Sequence, residues 1–447
     1  MTIAAFQTKL LEAGKQMGFK EIELYYEKSA TFSCHVYAGE VDEYEIAEDS
    51  GISFRGMFNG KIGYAYAEKL DDDSIFFILE NAKENALSIE EEEMEDIFAG
   101  SPSYKESTFF SEELKNVTTH EKINLLLQIE KLVRNYDPRI VGTNYCMLKT
   151  VENERALKNS KGLSLHERQN YLLLYLSVIA KDHQELKTGT TIKLTKQMDS
   201  LDPHEIAKEA AKEALSYLGE QSIKSKAYKV LFRHDAAASL LQTFVPIFSA
   251  ENVQSGKSLL QDKTGMQIAG KNITLIDDPF LENGLGSRSF DSEGVAAKKH
   301  LIIHNGTLKT LLHNRKTAKK DGVETTGHAY KSSYKETLTV APSNFYMKPG
   351  EKSYEELVHS LDEGILVTQL AGLHSGANPI SGDFSVAANG FYIKDGKIKT
   401  PLKQMTIAGN FYELLKNMEQ VGADLTFSLG KIGSPSIIVH RLPVTIE

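Results

Sequence analysis

Apolar positions along the chain alternate between two periods, and the alternation divides it. From Thr2 to Met17 the apolar residues Phe6, Leu10 and Met17 mark one face at helical spacing. Strand-like alternation follows at Ile22, Leu24 and Tyr26, then at Phe32, Cys34 and Val36. Val41 to Ile46 is read as the return strand after a turn at Gly39-Glu40. Asn59-Gly60 suits a type I′ hairpin, in which both central residues need positive φ. Ile75 to Ala86 is helical again by spacing. These elements predict a first α+β unit over residues 1–100. The acidic run Glu90 to Asp96 reads as a solvated helix end or linker, and Ser101-Pro102-Ser103 closes it.

A second α+β unit is predicted over residues 101–226. Ile123, Leu126, Leu127, Glu130 and Val133 line one face of a helix that Asp137-Pro138 stops. Strands are expected at Ile140 to Thr150, Tyr171 to Ala180 and Thr188 to Leu194. The stretch Tyr171 to Ile179 is almost continuously apolar, as a central strand should be. Asp202-Pro203-His204-Glu205 predicts a helix start. Asp202 serves as cap, Pro203 takes the first turn, and Glu205 can complete a capping box. Ile206, Ala210, Ala214 and Leu218 line that helix, and Gly219 ends it.

The polar stretch Gln221 to Ala227 marks the major boundary. Beyond it, residues 227–447 read as a mostly antiparallel β domain, one sheet system with a few helices: Asp235 to Val245, Ser353 to Leu361, and one within Thr406 to Gly422. Two hairpins stand out. In Leu301-Ile302-Ile303-His304-Asn305-Gly306-Thr307-Leu308 a type I′ turn sets Ile303 opposite Leu308. Asp395-Gly396 repeats the turn. The two stretches match at Ile303/Ile393, Gly306/Gly396, Lys309/Lys399, Thr310/Thr400, Leu312/Leu402 and Ala318/Ala408, which reads as a duplicated β unit.

Composition narrows the function classes. A 447-residue chain with 41% hydrophobic and 25% charged residues is long enough for two or three domains. Its net charge of −10 argues against an electrostatic nucleic-acid binder. Cys34 and Cys146 make no disulfide framework, and strand-like surroundings make them buried reduced thiols. Lys9, Glu12 and Lys15 interrupt the first segment, so no signal peptide is read there, and no run approaches a membrane span. A cytoplasmic protein that contacts no membrane is the expectation.

Familiar catalytic motifs fail on inspection. The His-Glu pairs at His120, His166 and His204 have no second histidine four or five residues on, so none makes a helical zinc site. Ser255-Gly256-Lys257-Ser258 has Glu251 where a phosphate-binding loop needs glycine. Gly284 and Gly286 are followed by Ser289, not glycine, and Ser385 lacks the glycines of a nucleophile elbow. The acidic candidates are Asp277, Asp278, Asp291, Glu293 and Asp383. They suit a cation site or a general acid/base pair, and equally suit turns.

The ordered segments Ile-Asp-Asp-Pro (276–279), Gly-Ser-Arg-Ser-Phe-Asp-Ser-Glu-Gly-Val (286–295), Thr326-Gly327, Ser343-Asn344, Ser381-Gly382-Asp383-Phe384-Ser385 and Thr406-Ile407-Ala408-Gly409-Asn410 resemble the TldD/PmbA family, most closely its PmbA (TldE) branch. The resemblance runs over nearly the whole chain. It implies a metallopeptidase system, a hydrolase acting on unfolded peptides. The TldD branch carries His-Glu-x-x-x-His on a helix after an apolar pair, and a cysteine ligand near the C-terminus. Here Leu240-Leu241 matches the apolar pair, and the motif positions hold Gln242, Thr243 and, at the second histidine, Ile247. No cysteine lies beyond Cys146.

The resemblance therefore implies a zinc-free chain with no catalytic residue or cofactor of its own, in a heterodimer with a TldD-like subunit that carries the zinc. An exposed strand edge would bind unfolded peptide by main-chain hydrogen bonds. Gly286, Asp291, Glu293 and Gly294 are the first candidate contacts, within Gly284 to Gly294. Ser381, Gly382, Asp383 and Ser385 are the second. Two other readings stay open: a homodimeric peptide- or protein-binding regulatory module of gyrase-modulator type, and a peptidase with an unfamiliar active site.

Overall fold

The computed structural model describes residues 1–90, 96–106, 108–427 and 430–447. Most of the acidic run around Met94, residues 91–95, lies outside the described residues. Six strands form one antiparallel sheet in the order β3-β2-β1-β4-β5-β6. They are β1 (Ile22–Tyr37), β2 (Glu40–Phe58), β3 (Lys61–Ala67), β4 (Ile140–Asn159), β5 (Ser164–Asp182) and β6 (Glu185–Thr195). β1 pairs with β2 on one side and with β4 on the other, from Glu23 opposite Asn159 to His35 opposite Met147. The two N-terminal stretches thus build one continuous sheet.

Strand residues point alternately to the two faces. One face is apolar and buried, with Leu24, Phe32, Cys34, Phe54, Leu148, Leu172 and Leu174. It is covered by helices α1 (Ile3–Met17), α2 (Asp72–Ser88), α3 (Glu112–Asn116), α4 (Thr119–Arg134) and α5 (Pro203–Ser216). Complete burial of Phe6 and Leu10 on α1 contributes about 2 kcal/mol each. The other face carries Tyr25, Glu27, Ser29 and Thr31 of β1 and Asn153 and Arg155 of β4, and borders a cleft.

Three local expectations need correction. The β1–β2 turn sits at Ala38 and Gly39, both at positive φ (58° and 85°), because a bulge after His35 shifts the register. α4 buries Leu125, Leu126, Ile129 and Val133 and leaves Ile123 and Leu127 half-buried. Glu130 fixes that rotation: its buried carboxylate accepts N–H bonds from Ala38 (2.8 Å) and Gly39 (2.7 Å) in that same turn. Asp202 does cap α5, accepting from the His204 N–H at 2.8 Å, but Glu205 pairs with Lys208 instead of closing a capping box.

The C-terminal part is α+β with a β-rich core, in two main sheets where the sequence suggested one. Strands Lys226–Phe232, Glu363–Ala371, Asp383–Lys394, Met405–Asn410 and Ile437–Ile446 pair in a closed ring, since Glu363–Ala371 bonds to both Lys226–Phe232 and Asp383–Lys394. A separate five-stranded sheet holds Leu275–Asp277, His300–His304 and Phe345–Met347. The two hairpins sit in different sheets, each with its return strand at the edge. Both turns have the expected positive φ: Asn305 and Gly306 at 47° and 79°, Asp395 and Gly396 at 53° and 66°. Ile303 faces Leu308 as predicted. Helix α6 (His234–Phe244) packs into the shared core, its Phe244 ring stacked on Phe411 with centroids 4.5 Å apart.

The N-terminal part is fastened to the C-terminal part by two sets of contacts. In one, Tyr217 stacks on Phe391 (5.3 Å) and bonds Thr368 (2.6 Å), while Arg233 pairs with Glu213 (2.6 Å). In the other, the Arg155 guanidinium donates to the Phe290 carbonyl (2.6 Å), and Tyr104 donates to that of Gly294 (2.7 Å). Tyr334 lies flat on Gly51 of β2, where an added Cβ would fall 2.1 Å from its ring. Among the described residues, no helix is long and apolar enough to cross a membrane.

Candidate functional site

Between the polar face of the sheet and the C-terminal part lies a cleft of about 790 Å³. Its floor is the β1–β4–β5 face. Its walls come from Val245 and Pro246 just past α6, the loop Leu285 to Arg288, the segment Tyr330 to Tyr334, and Lys431. Pro246 ends α6 at Phe244 and starts a short 3-10 turn, Val245–Phe248.

The degenerate motif positions part company here. Gln242 lines the cleft. The Thr243 hydroxyl turns back onto its own helix and donates to the Ser239 carbonyl at 3.0 Å. Ile247 is buried in the core beside Phe248. Zinc does not fit this wall, because Gln242, Val245 and Pro246 offer no imidazole, thiolate or carboxylate. Among the described residues, no three His, Cys, Asp or Glu side chains gather as a metal site.

Of the first candidate group, Gly286 borders the cleft. Its N–H donates to the Asn344 side chain at 2.8 Å, and a Cβ there would strike the Ser343 carbonyl at 2.4 Å. Asp291, fully buried, organises a turn: its carboxylate accepts from the N–H groups of Glu293 (2.9 Å), Val295 (2.9 Å) and Ala329 (3.0 Å). Glu293 accepts from the Arg315 N–H at 2.9 Å. Burial, reinforced by the neighbouring Asp291 charge, pushes its carboxyl up to about 8. Gly294 adopts φ +81° beside Leu163. The second group lies apart from the cleft lining. Ser381 and Gly382 form a turn, and Asn410 ties the Ser381 carbonyl (2.9 Å) to the exposed Asp383 carboxylate (2.8 Å). Ser385 continues the strand, paired with Ala408.

Asp277 and Asp278 also have local partners. Asp277 accepts from the Ser343 N–H (2.8 Å) and hydroxyl and contacts His328 (2.9 Å). Burial opposes its ionisation, but the His328 and Ser343 contacts hold it below its ordinary value. Asp278 pairs with Lys299 at 2.8 Å.

Sequence reasoning missed the charged residues that define the cleft. Lys331 is buried, donates to the Ser53 hydroxyl at 2.7 Å, and lies over the Tyr25 and Tyr64 rings at 5.2 and 4.6 Å. Burial, then repulsion from Arg55, pushes its amine down to about 7. Lys431 stands over the Tyr330 ring at 4.2 Å, and burial followed by the Arg288 charge brings it to about 8. Arg288 was legible as a lone charge in a run of small residues. The lysines gave no signal, because only folding brings 25, 53, 331 and 431 together.

This fold is that of a family of metallopeptidases. The PmbA/TldA metallopeptidase models match in succession: domain 1 over residues 22–86, the central domain over 112–218 and the C-terminal domain over 225–446. The chain belongs to the TldD/PmbA family. It is 31% identical over 435 residues to an uncharacterized protein of Methanocaldococcus jannaschii, covering 96% of this chain and 97% of that one. It is 26% identical over 413 residues to a metalloprotease PmbA homolog of Haemophilus influenzae, covering 91% and 88%. Among solved structures, a Thermotoga maritima protein proposed to modulate a DNA gyrase superposes with a TM-score of 0.92 at 32% identity, over 99% of this chain and 100% of that one. TldE from Thermococcus kodakarensis gives 0.90 at 24% identity, over 98% and 100%.

Proposed function

We propose that this chain is a PmbA/TldE-like subunit of a zinc peptidase system, itself without zinc, that helps enclose an unfolded peptide for a TldD-like partner. The observation that carries the reading is the cleft wall after α6. The motif position that would be a zinc ligand is Gln242, and the second is Ile247, turned into the core. A polar sheet face on the floor supports contact with peptide of varied sequence, since strand-face side chains and water can satisfy a main chain without reading it.

The experiment is elemental analysis and peptide cleavage by the purified chain, alone and with a co-expressed TldD-like subunit. The expected result is no stoichiometric zinc and no cleavage alone, and chelator-sensitive cleavage with the partner. Gln242→Ala leaves that activity largely intact. About one tightly held zinc per chain, with chelator-sensitive cleavage by this chain alone, would falsify the reading. A homodimer with no peptidase role is the outcome if the partner restores nothing.

A further inference from the structure

The chain carries a net charge of −10, yet the cleft lining runs the other way. Six cationic side chains border it (Lys149, Arg155, Arg168, Arg288, Lys331 and Lys431) against four carboxylates. Two of the six are committed to ion pairs, Arg155 with Glu167 at 2.8 Å and Arg168 with Glu152 at 2.7 Å. Lys331 is held by the Ser53 hydroxyl. Lys149 on the β4 floor, Arg288 and Lys431 have no carboxylate within ion-pair distance among the described residues, and of these three the last two share one wall. Arg288 is only 6% exposed. One guanidinium nitrogen makes a long 3.3 Å bond to the Gly327 carbonyl, and its buried Nε has no acceptor among the described residues. Lys431 has the Tyr330 ring and, among the described residues, no acceptor.

Both cations are fixed to one wall. Asn344 holds the loop before Arg288, accepting from Gly286 N–H (2.8 Å) and donating to the Ser287 hydroxyl (2.9 Å) and Asp278 carbonyl (2.8 Å). The next residue, Phe345, donates its N–H to the Lys431 carbonyl at 2.8 Å. Asp277 and Asp291 lie within range of the Arg288 charge, but their oxygens are taken by Ser343 and His328 and by backbone N–H groups. They lower the field without using the guanidinium donors. A buried donor left unpaired is costly, and an arriving anion would satisfy it.

We propose that Arg288 and Lys431 form a carboxylate-binding site in the cleft, which takes a carboxylate of an extended peptide. The proposal rests on the peptide reading above and adds its chemistry. A carboxylate is the anion an unfolded peptide itself carries, and it can accept from a guanidinium and an ammonium together. The carboxylate is the C-terminus of the peptide or an acidic side chain, and the test separates these sources.

The full chain is titrated by fluorescence anisotropy against two pairs of unstructured labelled peptides. One pair differs only in a free or amidated C-terminus; the other is amidated and differs only in one internal Asp or Asn. The carboxylate member of at least one pair should bind about tenfold tighter. Preference within the first pair assigns the C-terminus, and within the second an acidic side chain. Lys431→Met, at a half-buried position, and Arg288→Gln should each bring that ratio toward one while uncharged peptides bind as before. If Arg288→Gln fails to fold, Lys431→Met alone decides. Equal binding within both pairs, or a preference that Lys431→Met leaves intact, overturns the site and leaves the peptide reading standing. Failure to bind any peptide overturns both. Zinc content plays no part in the readout.

Discussion

Three hairpin turns have the same backbone and different surroundings, which makes one substitution a graded test. Gly60, Gly306 and Gly396 each take the second central position of an Asn-Gly or Asp-Gly turn, at φ +81°, +79° and +66°. An alanine in the left-handed region costs about 1 kcal/mol wherever it is placed. At Gly60 nothing lies within 4 Å of the added Cβ, so that cost is all. At Gly396 the Cβ meets the His359 carbonyl oxygen at 2.9 Å and its Cα at 3.2 Å, which a small shift relieves; about 2 kcal/mol is expected. At Gly306 it meets Gln267 Nε2 at 2.3 Å, the Ala269 carbonyl at 2.4 Å and that of Gly270 at 2.8 Å. The Gly306 carbonyl also accepts from the N–H groups of Ile268 (2.9 Å) and Ala269 (3.1 Å), so the clashing backbone cannot retreat without breaking those bonds. The expected cost is about 3–4 kcal/mol. Urea unfolding followed by far-ultraviolet circular dichroism measures the series. Amide hydrogen exchange at each turn localises the loss, since a chain of this size need not unfold in one step. Three equal costs, or Gly306→Ala as the mildest, would refute the reasoning.

Two further outcomes follow from buried charge. Arg55 and Glu23 are 6% and 2% exposed with 3.2 Å between them, so Arg55→Ala strands a buried carboxylate and should cost about 3–5 kcal/mol in denaturant unfolding; a loss below about 1 kcal/mol would contradict the geometry. The folded Lys331 amine is pushed down to about 7 from 10.5, so between those values the unfolded chain binds the extra proton and stability should rise with pH. Unfolding free energies at pH 7, 8 and 9 should show that rise flattened in Lys331→Met, and parallel profiles would show that the lysine is not the source.

What could be read from the sequence was local. The period of apolar residues gave α1 and α5 within a few residues and placed the strands of the sheet, but it ended β2 at Ile46 and β4 at Thr150, well short of Phe58 and Asn159, where polar residues continue the strands. Asn305-Gly306 and Asp395-Gly396 gave turn geometry, because type I′ turns are written in two residues. The failures were long-range. Glu130 looked like an ordinary member of a helix face until the Ala38–Gly39 turn supplied its partners, and those partners rotated the helix. The two hairpins looked like parts of one sheet system, because equal local sequence does not record which strands lie alongside. The loop at Gly286 was legible through its small residues. The lysines that share the cleft with it were not, since a buried lysine and a solvated one are spelled alike.

Because α5 and the sheet are each bolted to the C-terminal part, the cleft is braced as a slot and not hinged as a pair of jaws. Opening it as a hinge would require parting the Tyr217–Phe391 stack and the Arg233–Glu213 pair on one side, or the Arg155–Phe290 and Tyr104–Gly294 bonds on the other. A rigid slot sorts by cross-section. For the proposed peptide ligand, a single extended strand is roughly 5 Å across between neighbours in a sheet, and a folded domain is many times wider. On the peptide reading proposed above, discrimination between folded and unfolded chains would need no recognition sequence.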